Sequence, residues 1–240
     1  MSDGFERQLS DWGMEVGVDA EKQLLAYAQL LSRYEKANVI GTRDFEEILQ
    51  RHVLDSLSCL LFEPLYEAKR VADIGSGGGL PGIPLAVVLP DADVTLLEAT
   101  GKKVAFLRHA SEELGLANVR VVNARVEEVA RDRVHRGVYD VCTVRALARL
   151  SVVTEYSLPL LRLGGTVVAM KGRLDAEERD EGKRAMSEIG GRVREEIQAR
   201  YSAEINQGER RLLILEKTRE TPGTYPRRTG VPARNPLGKR

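Results

Sequence analysis

Five glycines fall in eight residues, Gly75 to Gly82, directly behind a short apolar stretch ending in Asp73. No other segment restricts the fold so tightly. The run Val71–Glu98, VADIGSGGGLPGIPLAVVLPDADVTLLE, reads as an apolar strand, a glycine loop and an apolar helix, then a turn at Pro90–Asp91 and a second strand ending in Glu98. A glycine-dense loop lets the backbone approach a ligand that side chains would keep away. An acid about 20 residues beyond such a loop, at the end of the next strand, is placed to accept from ribose hydroxyls. The pattern predicts a nucleoside site in a parallel α/β sheet.

Two frames compete for the nucleoside. Gly77–Gly79–Gly82 matches G-x-G-x-x-G, which offers a helix N-terminus to the pyrophosphate of a dinucleotide. Gly75–Gly77–Gly79 reads G-x-G-x-G immediately after Asp73. A carboxylate at that point repels phosphates and suits a ligand with an ammonium and a sulfonium, S-adenosylmethionine. Pro81 and Pro84 stand where the helix begins and remove N–H groups that would hold phosphate. The residues favour the methyl donor. A glycine turn without a ligand is a weak reading, since turns rarely need so many glycines.

At 240 residues and 42% hydrophobic content, one α/β domain of about 170 residues plus appendages fits the chain. No apolar run approaches the roughly 18 residues of a membrane span, and no basic, apolar leader opens the sequence. Cys59 and Cys142 form no C-x-x-C pair and read as buried thiols of a cytoplasmic protein, without metal or disulfide. His52, His109 and His135 show no ligand spacing. The net charge of zero hides a gradient: residues 1–62 carry 6 Lys/Arg against 11 Asp/Glu, whereas the tail from 218 to 240 carries six cations against Glu220. With Pro222, Pro226, Pro232 and Pro236 the tail is expected to be extended rather than helical. It reads equally as a solvated segment or as an arm over the phosphates of a polyanion.

Residues 1–66 are expected to form a helical cap, with one helix carrying Leu24, Tyr27, Ala28 and Leu31 behind Asp19 as N-cap, and another over Asp44–Leu61. Residues 67–217 then alternate strand and helix. Thr100 is expected to cap a helix over Lys102–Leu114, Val119–Val122 to form a strand, and a turn over Asn123–Glu128 to lead into a short helix from Val129. A strand over Val138–Val144 follows, then a helix over Val152–Leu161, a strand over Thr166–Met170, a helix around Ala176–Ile189, and strands over Val193–Tyr201 and Arg211–Lys217. The last two are expected to pair antiparallel across a short connection at Asn206–Gly208. Seven strands without a repeat describe an α/β, Rossmann-like, class I methyltransferase sheet with an N-terminal helical extension.

Ligands of open α/β sheets sit at the carboxyl ends of the strands, which gathers Asp73, Glu98, Val126–Glu127 and Arg145 around one pocket. Glu98 is expected to take the ribose and the Arg125–Glu128 turn the adenine, with Val126 against the ring. Glu127 and Glu128 read equally as solvated acids of a first helical turn. The fourth strand is followed by Arg145-Ala146, without the Pro-Pro pair common in amino-group methyltransferases of nucleic acid. Cys142 lies inside the strand rather than at a nucleophile's position. An intrinsically nucleophilic acceptor such as guanine N7, which needs alignment more than a base, fits best.

Arg51-His52-Val53-Leu54-Asp55-Ser56, the DIGSGGGLPGIPL run from Asp73 to Leu85, Lys102-Lys103 through Phe106-Leu107, Arg145-Ala146 and Lys171-Gly172 together resemble the bacterial 16S ribosomal RNA guanine-N7 methyltransferases, the glucose-inhibited division protein B family. The likeness runs from Tyr34 and Asn38 to Tyr225-Pro226-Arg227-Arg228. It implies S-adenosylmethionine as donor and a guanine of the small-subunit decoding region as target, in free 16S RNA, the subunit or an assembly intermediate. Carried onto this chain, the family's donor-binding positions match Gly75, Leu80, Glu98, Ala99, Thr100, Val126, Glu127 and Arg145, to which the reading of the glycine loop adds Asp73, Gly77 and Gly79. Arg145 and Lys171 are the expected catalytic residues, and Arg51, Lys171, Arg227, Arg228 and Arg234 the expected RNA contacts. Glu98 departs from the Asp of several relatives, and Thr143 does not match their serine directly before the arginine. The alternatives are a same-fold methyltransferase of a small molecule or protein, a nicotinamide oxidoreductase, and an RNA-binding module without catalysis.

Overall fold

The computed structural model describes residues 3–203, 205 and 210–239. Its centre is a seven-stranded sheet of order β3-β2-β1-β4-β5-β7-β6, made from β1 (Arg70–Ile74), β2 (Asp93–Glu98), β3 (Val119–Asn123), β4 (Tyr139–Arg145), β5 (Leu161–Lys171), β6 (Gly191–Ala199) and β7 (Arg210–Lys217). The first five strands are parallel; β7 runs antiparallel to both β5 and β6. The expected connection at Asn206–Gly208 lies outside the described residues. The strand order reverses between β1 and β4, so the loops leaving those neighbours part and open a crevice at their carboxyl ends.

Alternation along each strand splits the core in two. Val71, Val94, Leu96, Val141 and Val168 face one side, and Ala72, Ile74, Leu97, Cys142 and Val167 the other. On the first side lie α1 (Asp3–Asp11), α2 (Val18–Arg33), α3 (Phe45–Ile48), α4 (Leu54–Leu57), α5 (Gly82–Val88) and α6 (Gly101–Glu113). The second side is covered by α7 (Val126–Val129), α8 (Leu150–Ser157), α9 (Ala176–Ile189) and the C-terminal segment with α10 (Val231–Arg234). The N-terminal helices therefore share one core with α5 and α6. Tyr27 of α2 donates its hydroxyl to the Gly78 carbonyl in the glycine loop.

Several boundaries differ from the sequence reading, each for a local reason. Gly17, not Asp19, caps α2; Asp19 sits in the first turn and pairs with Lys22 at 3.0 Å. The helix expected over Asp44–Leu61 is α3, a π-helical turn at Leu49–Val53, α4 and a 3₁₀ turn at Ser58–Leu61. Val129 closes α7 rather than opening a helix, since Glu127 and Glu128 already occupy a first turn. The helix expected to reach Leu161 ends at Ser157, because Pro159 cannot continue it. The proline-rich tail does contain a helical turn, α10, whose Pro232 sits in the first turn where its missing N–H costs nothing. By contrast α9 has the bounds expected of it: Asp175 accepts from Glu178 N at 2.7 Å, and Gly190 ends the helix in the left-handed conformation.

Candidate functional site

The glycine loop hangs from β1 on two anchors. Asp73 is wholly buried; its Oδ1 accepts from Thr143 Oγ1 at 2.9 Å and its Oδ2 from Gly82 N at 3.2 Å. A Cβ at Gly82 would lie 2.8 Å from that carboxylate, so glycine is what lets the helix start come so close. Burial raises the Asp73 pKa to about 6, against the opposing hydrogen bonds from Ser76, Thr143 and Gly82. The sequence reading sets Asp73 against the cationic groups of the donor. In the folded chain it braces the loop from beneath, through Thr143 and Gly82. Thr143, which sequence comparison left without a role, supplies the other half of that brace.

Glu98, at the adjacent strand end, accepts from Gly77 N at 3.0 Å and Thr100 N at 2.7 Å. Its carboxylate thus joins the glycine loop to the start of α6, where Thr100 is the N-cap and Gly77 and Gly75 hold positive φ. Ala99 lies between these two anchors, and Asn123 Nδ2 donates to the carbonyls of Glu98 and Ala99 at 3.2 Å. Leu80 and Val126 are at most partly exposed. A small, loop-lined, acid-flanked surface of this kind fits a nucleoside with a cationic tail. Replacement of Glu98 by Ala is expected to weaken S-adenosylmethionine binding by about 1–3 kcal/mol, the cost of a lost charged hydrogen-bond acceptor. Calorimetric titration measures it, and unchanged affinity would contradict a donor site here.

Across the crevice, β4 ends in Arg145 and turns at Ala146, whose φ of 49° is left-handed, costing about 1–2 kcal/mol for a residue with a Cβ. The turn sends the chain in two directions. Leu147 packs over the glycine loop so closely that a Cβ on Gly75 would lie 2.7 Å from its Cδ1. Arg145 instead enters a cavity of about 440 Å³, lined also by Glu47, Arg51, His52, Asp55, Met170, Lys171 and Arg210. The loop-side surface and this cavity are therefore separated by the single segment 145–147.

Every cation of the cavity has a carboxylate partner. Arg145 Nη1 lies 3.5 Å from Asp55 Oδ2, and Arg210 Nε 3.4 Å from Asp55 Oδ1, which also accepts from the Tyr201 hydroxyl at 2.9 Å. The half-exposed Arg51 reaches Glu47 at 3.5 Å, and Lys171 reaches Glu178 of α9 at 2.9 Å. Lys171 also donates to the Ala148 carbonyl, while Glu178 accepts from Leu150 N at 2.9 Å, so this pair clamps the segment after β4. Arg145 further donates to the His52 carbonyl at 3.1 Å and to His52 Nδ1. His52 and Asp55, three residues apart on one helical segment, share a face and meet one guanidinium. Burial, followed by the Arg145 charge, lowers the His52 pKa to about 4.

The expected tail cations do not line this cavity. Arg227 forks onto Glu155, which is wholly buried in α8, with contacts of 2.7–3.1 Å. Arg228 and Arg234 are exposed, and Arg234 Nε donates to the Gly230 carbonyl at 3.1 Å. Glu127, expected beside the adenine, is buried and accepts from Gly230 N at 2.8 Å and the Tyr156 hydroxyl at 3.2 Å. Arg131 and Arg136 bind the tail carbonyls of Thr221, Pro222, Tyr225 and Pro226. An acid inside the apolar helix LSVVTEYS is the one sequence signal that pointed to a buried partner for Glu155. Among the described residues no His/Cys/Asp/Glu cluster could hold a metal, and no helix is long and apolar enough to cross a membrane.

Comparison with known proteins supplies the frame for this geometry. A family model described as rRNA small subunit methyltransferase G matches residues 20–205. The ribosomal RNA small subunit methyltransferase G of Rubrobacter xylanophilus is 54% identical over 236 residues, covering 98% of this chain and 90% of that protein. Its namesake in Deinococcus radiodurans is 39% identical over 233 residues, covering 97% of this chain and 91% of that protein. Among solved structures, a SAM-dependent methyltransferase from Aquifex aeolicus has a TM-score of 0.57 at 13% identity, covering 78% of this chain and all of that one. This last likeness concerns the fold alone.

Proposed function

The chain belongs to the rRNA small subunit methyltransferase G family, and from that premise we infer that it transfers a methyl group from S-adenosylmethionine to N7 of a guanine in 16S ribosomal RNA. The observation that carries this reading is the near-full-length match to enzymes of that name. The juxtaposed loop surface and cationic cavity support it. The donor, when bound, supplies an electrophilic methyl group.

Guanine N7 carries a lone pair and no proton, so the chain's task is placement rather than proton abstraction. The glycine loop, Glu98, Thr100 and Val126 would hold the donor, with Leu147 packed over Gly75. The cavity beyond Arg145 would hold the flipped guanine. Transfer places positive charge on the purine, and paired cations repel such a product less than bare ones would. The exposed Arg51, Arg228 and Arg234 are the proposed phosphate contacts, while Arg145 and Lys171 shape the cavity. The physiological substrate is proposed to be the small subunit or an assembly intermediate, in the cytoplasm.

Labelled methyl transfer from S-adenosylmethionine to small-subunit particles, naked 16S RNA and large-subunit RNA tests this directly. Label is expected in small-subunit RNA alone, and equal label in large-subunit RNA would contradict the assignment.

A further inference from the structure

The guanidinium of Arg145 has donors and no acceptor. Its contact with His52 Nδ1 therefore requires a lone pair on that nitrogen, which assigns the single ring proton to Nε2. Arg145 grips the same residue's carbonyl at 3.1 Å, and Ser56 Oγ donates to that carbonyl at 2.7 Å, so both backbone and ring of His52 are fixed. Among the described residues no hydrogen bond reaches Nε2, and His52 lines the cavity beside Arg145 and Ala146. We propose that His52 reads the target base, its Nε2–H donating to guanine O6 while N7 faces the donor site. The proposal rests on guanine N7 transfer as read above.

Three features of the site fit that role. N7 and O6 share one edge of guanine, and adenine presents an amine in place of O6, so a fixed donor accepts guanine and rejects adenine. A neutral N–H, unlike a cation, does not repel the positively charged purine that transfer creates. The imidazole is kept neutral: burial and Arg145, Arg51 and Arg210 disfavour its protonation, and only Glu47 opposes them. The π-helical turn that carries His52 is held on its other flank by Asp55, which binds Arg145, Arg210 and Tyr201. Donor direction is thus set by the fold rather than by the substrate.

The test uses the full chain and small-subunit particles carrying either guanine or 2-aminopurine, which lacks O6 and keeps N7, at the methylated position. Wild-type protein is expected to favour guanine, by a factor on the order of 10–100 in kcat/KM. His52→Asn keeps an acceptor for Arg145 at the place of Nδ1 and removes the Nε2–H. It is expected to lose that same factor on guanine and nothing on 2-aminopurine, with S-adenosylmethionine affinity unchanged. His52→Gln restores an N–H at the place of Nε2 and is expected to recover part of the preference. Because the preference is a ratio of two substrates on one sample, partial unfolding cancels from it. Full preference in His52→Asn overturns the proposal. Wild-type protein that methylates no guanine at all overturns the underlying reading and this one with it.

Discussion

Replacing Arg227 with alanine is expected to lower folding stability by about 3 kcal/mol, although the residue sits in a tail that reads as a solvated or phosphate-binding arm. Glu155 is wholly buried in α8, and both its oxygens are taken by the Arg227 fork, with the Arg227 backbone N–H a further donor at 2.7 Å. Removing one partner of a buried pair strands the other charge, at a cost of about 3–5 kcal/mol. Here the arginine is partly exposed and the backbone donor survives, so the lower end applies. For a chain of 240 residues that corresponds to a midpoint drop of roughly 6–12 °C in thermal unfolding. Glu155→Gln in the same background should recover part of the loss by removing the stranded charge. The salt dependence of RNA binding should stay as it was, because the guanidinium is spent inside the protein. A midpoint within a degree of wild type, or a shallower salt slope, would contradict this account of the tail.

Asp55→Ala is expected to do comparable damage to stability and far more to methyl transfer. Asp55 is 4% exposed and holds Arg145, Arg210 and the Tyr201 hydroxyl together. Its loss leaves the Arg145 and Arg210 guanidinium groups without their common anion, again about 3 kcal/mol. The released Arg145 no longer fixes the wall between the two halves of the site. A misplacement of about 1 Å costs about 100-fold in rate, whereas the glycine loop and Glu98, which do not touch Asp55, should keep donor affinity near wild type. Asp55→Asn retains acceptor geometry for Tyr201 and is expected to fall between the two. Steady-state transfer to small-subunit particles, paired with donor titration, separates the effects. Normal transfer by Asp55→Ala would remove this network from the mechanism.

How far such a site can be read in sequence depends on the range of the interactions involved. The loop from Gly75 to Gly82, the acid at Glu98 and the strand ends were legible because each is local chemistry at a fixed spacing. The same holds for α9, framed by its cap at Asp175 and the left-handed Gly190. The π-helical turn was not legible, since its side chains fit an α-helix equally well. Pro159 carried the signal that ends α8 early, and helical periodicity beyond it was misleading. The docking of the tail depends on Glu155, 72 residues before Arg227, and no local pattern encodes that pairing. The motif Arg51–Ser56 stood out as a signature, but its meaning, a hub on Asp55 and a fixed imidazole at His52, emerges only when β4 is laid beside it.

The most direct test of the central claim is nucleoside analysis of 16S RNA, recovered from small-subunit particles that lack the modification, after incubation with the protein and S-adenosylmethionine. One new nucleoside, 7-methylguanosine, is expected, formed only when the donor is present and much reduced with Glu98→Ala or Asp55→Ala. A methyl group on an exocyclic amine, a ribose hydroxyl or a pyrimidine carbon, or 7-methylguanosine formed equally well by both variants, would contradict it.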